Sequence, residues 1–159
     1  MNTHEQFIAP ETARLAKQAG FDWECTTYYI EEYNPSVDAY CGEYRFNEMR
    51  GMVYPNPNDA EHHDFYFKKG TMFEHKVETF SAPTQAVLQR WLREVKNMRL
   101  TVLPWIGRND KTEWSYITGR FYDQIKLSRA IGNEYSFDTY EAALEAGLQK
   151  CLTLIIEKQ

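Results

Sequence analysis

Residues 83–97 read PTQAVLQRWLREVKN, and the next nine, 98–106, read MRLTVLPWI. The first stretch has a helical period. Val87, Leu88, Trp91, Leu92 and Val95 recur at the spacing that lines one face of a helix, with Arg90, Arg93 and Asn97 on the other. Ser81, two residues before Pro83, is the expected N-cap. The period then changes. From Arg99 to Ile106 the pattern alternates, with Leu100, Val102 and Pro104 on one side, and Pro104 points to an edge strand or a strand end. A polar turn over 107–111 leads to a second strand over 113–121, which 124–127 prolongs or re-pairs beyond a bulge at Gly119.

A turn-rich stretch, 128–137, precedes the last helix. Asp138 is its expected N-cap, with Glu141 completing a box-like arrangement. Ala143, Leu144, Leu148, Cys151, Leu152 and Ile155 form its buried face. Gly147 in mid-helix costs about 1 kcal/mol relative to Ala, and a close approach of helix to sheet would account for it. The second half thus reads helix, strand, strand, helix. The connection between the strands is too short for a crossover, so they pair antiparallel.

In the first half, Pro10 suits the opening turn of a helix over 10–19, and Gly20 suits its C′ position. Phe21 and Trp23 return the chain to the core. Residues 25–33, CTTYYIEEY, are β-branched and aromatic and read as a strand ended by a turn at Asn34–Ser36. Residues 39–54 fit a strand or a short irregular segment. Residues 55–64, PNPNDAEHHD, read as a loop. Short strands over 65–67 and 72–80 flank a hairpin turn at Lys68–Gly70. The pattern gives one α+β domain over 1–159, a single layer of mostly antiparallel sheet of about four to six strands packed by three helices. Its expected core is Leu15, Phe21, Trp23, Leu88, Trp91, Leu92, Val95, Val102, Ile117, Leu144, Leu148, Leu152 and Ile155.

Hydrophobic residues make up 43% and charged residues 26% of 159, a globular balance that argues against disorder over the whole chain. The 11 Tyr, 9 Phe and 4 Trp favour sheet and also supply material for a binding surface. No apolar h-region follows Met1 and no run of about 18 apolar residues occurs, so neither a signal peptide nor a membrane-spanning helix is expected. Cys25, Cys41 and Cys151 are odd in number and far apart. Reduced thiols in a cytoplasmic protein are expected, without a disulfide framework or zinc finger. The net charge of −5 is uneven. Residues 1–80 hold 7 Lys/Arg against 14 Asp/Glu, residues 81–133 hold 9 against 4, and residues 134–159 hold 2 against 5. The basic middle either meets a phosphate backbone or acidic partner, or neutralises the acidic first half within one folded body; the second is the plainer reading.

Three segments carry a resemblance: PETARLAKQAGFDWEC (10–25), SAPTQAVLQRWLREVKNM (81–98) and TYEAALEAGLQKCLTLI (139–155). In type, order and spacing they resemble a family of small uncharacterised proteins of phages and prophage-like elements, mostly of gut bacteria. The chain departs from the shorter members through its longer middle, 36–75. The resemblance implies a phage-type accessory setting and brings no catalytic residue or cofactor with it.

Four constellations are candidates for chemistry. His62, His63 and Asp64, with Glu61, stand in the expected loop, and His75 follows with Glu74 and Glu78; imidazoles and carboxylates hold divalent metals. Their spacing matches no known ligand motif, and solubility alone explains polar loops. Of the thiols, Cys41 is the one expected to be exposed, and no nucleophile elbow, P-loop or dinucleotide fingerprint is present. No cofactor is therefore expected, and the chain reads as non-enzymatic. The third candidate is a basic and aromatic set, Arg90, Arg93, Lys96, Arg99, Trp114, Tyr116 and Arg120, within a basic region over 90–126. Charge and stacking of this kind suit nucleic acid, although these aromatics also suit a packed strand. The fourth is the aromatic surplus, which fits a patch for self-association or for another protein. A protein-interaction module is the leading expectation, and nucleic-acid binding is the alternative.

Overall fold

A computed structural model describes residues 6–34, 39–48, 57–59, 62–68, 71–106, 111–120 and 136–159. The first helix, α1, spans Pro10–Gln18. It closes on Ala19, and Gly20 follows at φ 83°. There Gly20 N–H reaches Lys17 O at 3.0 Å and Phe21 N–H reaches Ala16 O at 2.9 Å. This is the left-handed C-terminal motif that the glycine permits.

Seven strands are found among the described residues: β1 (Thr27–Asn34), β2 (Ala39–Glu48), β3 (His62–Lys68), β4 (Thr71–Val77), β5 (Thr79–Ser81), β6 (Met98–Ile106) and β7 (Thr112–Arg120). Helix α2 spans Gln85–Glu94 and α3 spans Tyr140–Ile156. The fold class is α+β, with three helices and antiparallel strand pairing among the described residues. The strands divide into a three-stranded sheet, β2-β1-β5, and the hairpins β3-β4 and β6-β7. The expected strand over 72–80 splits at Glu78: β4 pairs with β3 and β5 with β1. Lys17 holds the split from α1, its Nζ 2.9 Å from Thr79 O and 2.9 Å from Glu78 Oε1.

Several expectations are corrected. Residues 62–64 belong to β3, and Pro57–Asp59 form a short 3₁₀ turn, so the 55–64 segment is no simple loop. Asn58 fixes that turn, accepting from Ser81 N at 2.8 Å and donating to Phe21 O at 3.0 Å. Ser81 is thereby part of β5, and Thr84 caps α2, its hydroxyl accepting from Val87 N at 3.4 Å. Thr139, not Asp138, caps α3, accepting from Ala142 N at 3.1 Å. The β6–β7 register runs through Gly119 without a bulge. Val95 lies past the end of α2 and is 48% exposed. The chain unwinds there through Asn97 at φ 54° before entering β6, a conformation Asn tolerates better than most residues. Residues 124–127 and the 128–137 turn, apart from Ser136 and Phe137, lie outside the described residues.

The core joins all three helices to β6 and the three-stranded sheet: Ile8, Ala16, Phe21, Phe80, Leu88, Trp91, Leu92, Leu100, Leu148 and Leu152 are all buried in it. Trp91 meets Phe21 edge-on at 5.4 Å, and its indole N–H donates to Asp22 at 3.0 Å, so the polar atom of a buried ring is satisfied. Of the expected core, Leu15, Trp23 and Val102 are half-buried against it. A polar knot ties the helices together. Glu145 Oε1 accepts from Ala9 N at 2.8 Å and from the Thr12 hydroxyl, and Glu145 Oε2 accepts from Gln85 Nε2 at 2.7 Å. A side chain from α3 thus caps the opening of α1, which has no side-chain cap of its own.

Candidate interaction surface

The β6–β7 hairpin receives α3 on one face. Its register sets Met98 opposite Arg120, Leu100 opposite Thr118, Val102 opposite Tyr116 and Pro104 opposite Trp114. Cross-strand partners share a face, and this is the face toward the core. Gly147 of α3 lies against it. A Cβ there would overlap Leu100 Cδ1 and come within 3.1 Å of Tyr116 Cγ.

The backbone follows the same parity. Trp114 exchanges both of its backbone hydrogen bonds with Phe137, at 2.8 and 2.9 Å, so it points away from β6. Pro104, its partner, is therefore at a position that owes the ladder no N–H. Leu100, two pairs further on, also turns its carbonyl outward and accepts from Gln89 Nε2 at 3.0 Å. The β6 edge is thus closed by a glutamine at one point and lacks a donor at another, both devices that discourage a further strand.

The other face carries Arg99, Thr101, Leu103 and Trp105 from β6, opposite Gly119, Ile117, Ser115 and Glu113. Leu103 is 40% and Trp105 47% exposed, and Ile106 at the strand end is 73% exposed. Trp105 Nε1 donates to Glu113 Oε2 at 2.9 Å, and the Ser136 hydroxyl donates to the same oxygen. The indole is therefore held by its cross-strand partner and presents its ring at the surface. Apolar side chains at both parities of 98–106 were the available signal: a strand apolar on both faces calls for cover on both. Leu100 and Val102 were legible as one side of the strand; Leu103, Trp105 and Glu113 were not, and Gly119 reads in the sequence as a bulge.

The basic and aromatic set is dispersed. Arg90 and Arg93 are exposed on α2, and both reach Glu94, at 2.8 and 3.6 Å. The Arg90 hydrogen bond holds the Glu94 carboxyl below its ordinary range. Arg90 also stacks over Trp23 at 5.5 Å, and Lys96 over Trp91 at 5.0 Å. Trp114 and Tyr116 are half-buried on the α3 side, the first edge-on to Tyr140 at 5.4 Å and the second 6.1 Å from Phe137. Arg99 lies on the opposite face, so the ladder separates it from them. Arg120 pairs with Met98 in the register, and its side chain lies outside the described residues.

Among the histidines, His62 and His63 sit on β3 opposite Val77 and Lys76, and Asp64 sits opposite His75 of β4. These four side chains lie outside the described residues, and among the described ones no metal-ligating group is found. Cys25 and Cys151 are buried, and burial pushes the Cys151 thiol up to about 12, which makes it a poor nucleophile. The side chain of Cys41 lies outside the described residues. A cleft of about 190 Å³ at the start of α2 and α3, lined by Gln6, Thr84, Gln85, Gln89 and Tyr140 among others, is smaller than most small-molecule sites.

No family model matches the chain, and neither does any curated protein or solved structure. No helix among the described residues is long and apolar enough to cross a membrane. The outer face of the β6–β7 hairpin carries two of the exposed large apolar side chains, Leu103 and Trp105, side by side on one strand.

Proposed function

We propose that the protein is a non-enzymatic protein-interaction module whose contact surface is the outer face and end of the β6–β7 hairpin. One observation carries this reading: Leu103 and Trp105 stand exposed on a hairpin face whose opposite side is packed by α3, with Ile106 exposed at the strand end. Aromatic side chains fixed in place and open to solvent are the residues from which interface hot spots are built. The resemblance of the segments 10–25, 81–98 and 139–155 to small phage-type proteins supports an accessory role in a phage or prophage, in the cytoplasm of the host.

The alternative is nucleic-acid binding through the basic region 90–126, supported by the exposure of Arg90, Arg93 and Arg99. One experiment separates the two. Tagged protein is used for capture from native host extract, with and without nuclease, as wild type, Trp105→Ala and Arg90→Ala/Arg93→Ala. A nuclease-resistant protein lost in Trp105→Ala supports the module. Nuclease-sensitive nucleic acid lost in the double arginine variant supports the alternative and overturns the module.

A further inference from the structure

Resting on that reading of the surface, the geometry points to a second copy of this chain as the occupant of the outer hairpin face, packed face to face about a twofold axis that runs across the strands.

The face is complementary to itself in charge and in shape. Arg99 stands at its root and Glu113 at its open end, six residues or about 20 Å apart along the strand. The two hydrogen bonds to Glu113 from among the described residues, from Trp105 and Ser136, use Oε2, and Oε1 takes neither. The shape changes from end to end in the same way. Trp105 is the largest side chain on the face. Gly119, beside Arg99 at the other end, has no heavy atom within 4 Å of the position a Cβ would take.

A twofold axis across the strands at the level of Val102 and Tyr116 exchanges residue 99 with 105 and residue 113 with 119. The Trp105 ring of one copy then lies over Arg99 of the other, in the space left by Gly119, and Glu113 approaches the same Arg99. The contact combines cation–π stacking with an ion pair. An axis along the strands would instead gather two Arg99 at one end and two Glu113 at the other, a like-charge arrangement that interfaces avoid. Strand addition at the β6 edge is disfavoured by Pro104 and by Gln89 on Leu100. The face is about 30 Å by about 10 Å, below the area of a standard stable interface, so the dimer is weak and reversible.

Sedimentation equilibrium of the purified full chain, from about 5 to about 500 µM, tests this. Wild type is expected to show a reversible monomer–dimer equilibrium that weakens with added salt. Gly119→Leu fills open space at a position outside the left-handed region, so it should fold normally by circular dichroism and dimerise at least about tenfold more weakly. Arg99→Glu should weaken the dimer similarly, and Arg99→Glu combined with Glu113→Arg should restore it. Wild type that stays monomeric throughout the range overturns the proposal. So does a dimer unchanged by Gly119→Leu and by Arg99→Glu. A monomeric wild type that still captures a protein through Trp105 would remove the second copy and leave the interaction module standing.

Discussion

A methyl group on Gly147 would overlap Leu100 Cδ1. The glycine is the point at which α3 comes down onto the β6–β7 hairpin, with Tyr116 on its other side. An exposed Gly→Ala change in a helix gains about 1 kcal/mol, whereas overpacking a core costs about 1–3 kcal/mol. Leu100 is itself buried, so the overlap should win. Gly147→Ala is expected to lower stability by about 1 kcal/mol and Gly147→Val by more, read by urea unfolding. A rise in stability would mean that Leu100 turns aside freely.

The caps give a second prediction. Thr139 Oγ1 accepts from Ala142 N at 3.1 Å, and Thr84 Oγ1 accepts from Val87 N at 3.4 Å. Thr139→Ala and Thr84→Ala should each cost about 1 kcal/mol. Asp138→Ala and its helix-dipole contribution should cost less than Thr139→Ala. A larger loss at Asp138 would move the start of α3 back by one residue.

Glu145 joins three helices. Removing its carboxylate leaves the Thr12 hydroxyl, the Ala9 N–H and one Gln85 N–H without that acceptor, and Thr12 and Gln85 are buried. Each buried donor left unsatisfied costs about 1–3 kcal/mol, so Glu145→Ala should lose about 2–4 kcal/mol. Amide exchange at Ala9 and in the first turn of α1 should rise along with it. Stability within about 0.5 kcal/mol of wild type would show that water replaces the carboxylate without penalty.

Burial pushes the Cys151 thiol up to about 12, above an ordinary value of 9.0. Because the folded value is the higher one, this contribution is intact below pH about 9 and is lost as pH rises towards about 12. In that window wild type should lose stability more steeply than Cys151→Ala, by up to about 1.4 kcal/mol per pH unit. Urea titrations at stepped pH check this, and parallel slopes would show that the thiol ionises freely in the folded state.

Part of this arrangement was legible because its causes are local. The period of Leu88, Trp91 and Leu92, the left-handed stop at Gly20 and the buried stripe of α3 follow from side chains a few residues apart. Even Gly147 was readable as a close approach. The caps were misplaced by one and three residues because Ser81 and Asp138 are as fit for the role as Thr84 and Thr139. What decided between them was where the preceding strand ends: Asn58 holds Ser81 in β5. The candidate surface was half legible. The alternation of 98–106 gave the strand, but both of its parities are apolar.

By itself, the sequence determined the three helices, the antiparallel pairing of the strands in the second half, and most of the buried helix faces. Periodicity and turn chemistry act over a few residues, and the chain states them directly. Only the tertiary structure decided that the strands part into three small sheets, that Glu145 caps a helix more than a hundred residues away, and that Leu103 and Trp105 face outward while Leu100 faces α3. These depend on which face of β6 the last helix covers. Two apolar faces compete for one cover, and the glycine at 147, by letting α3 settle onto Leu100 and Tyr116, leaves Trp105 on the outside.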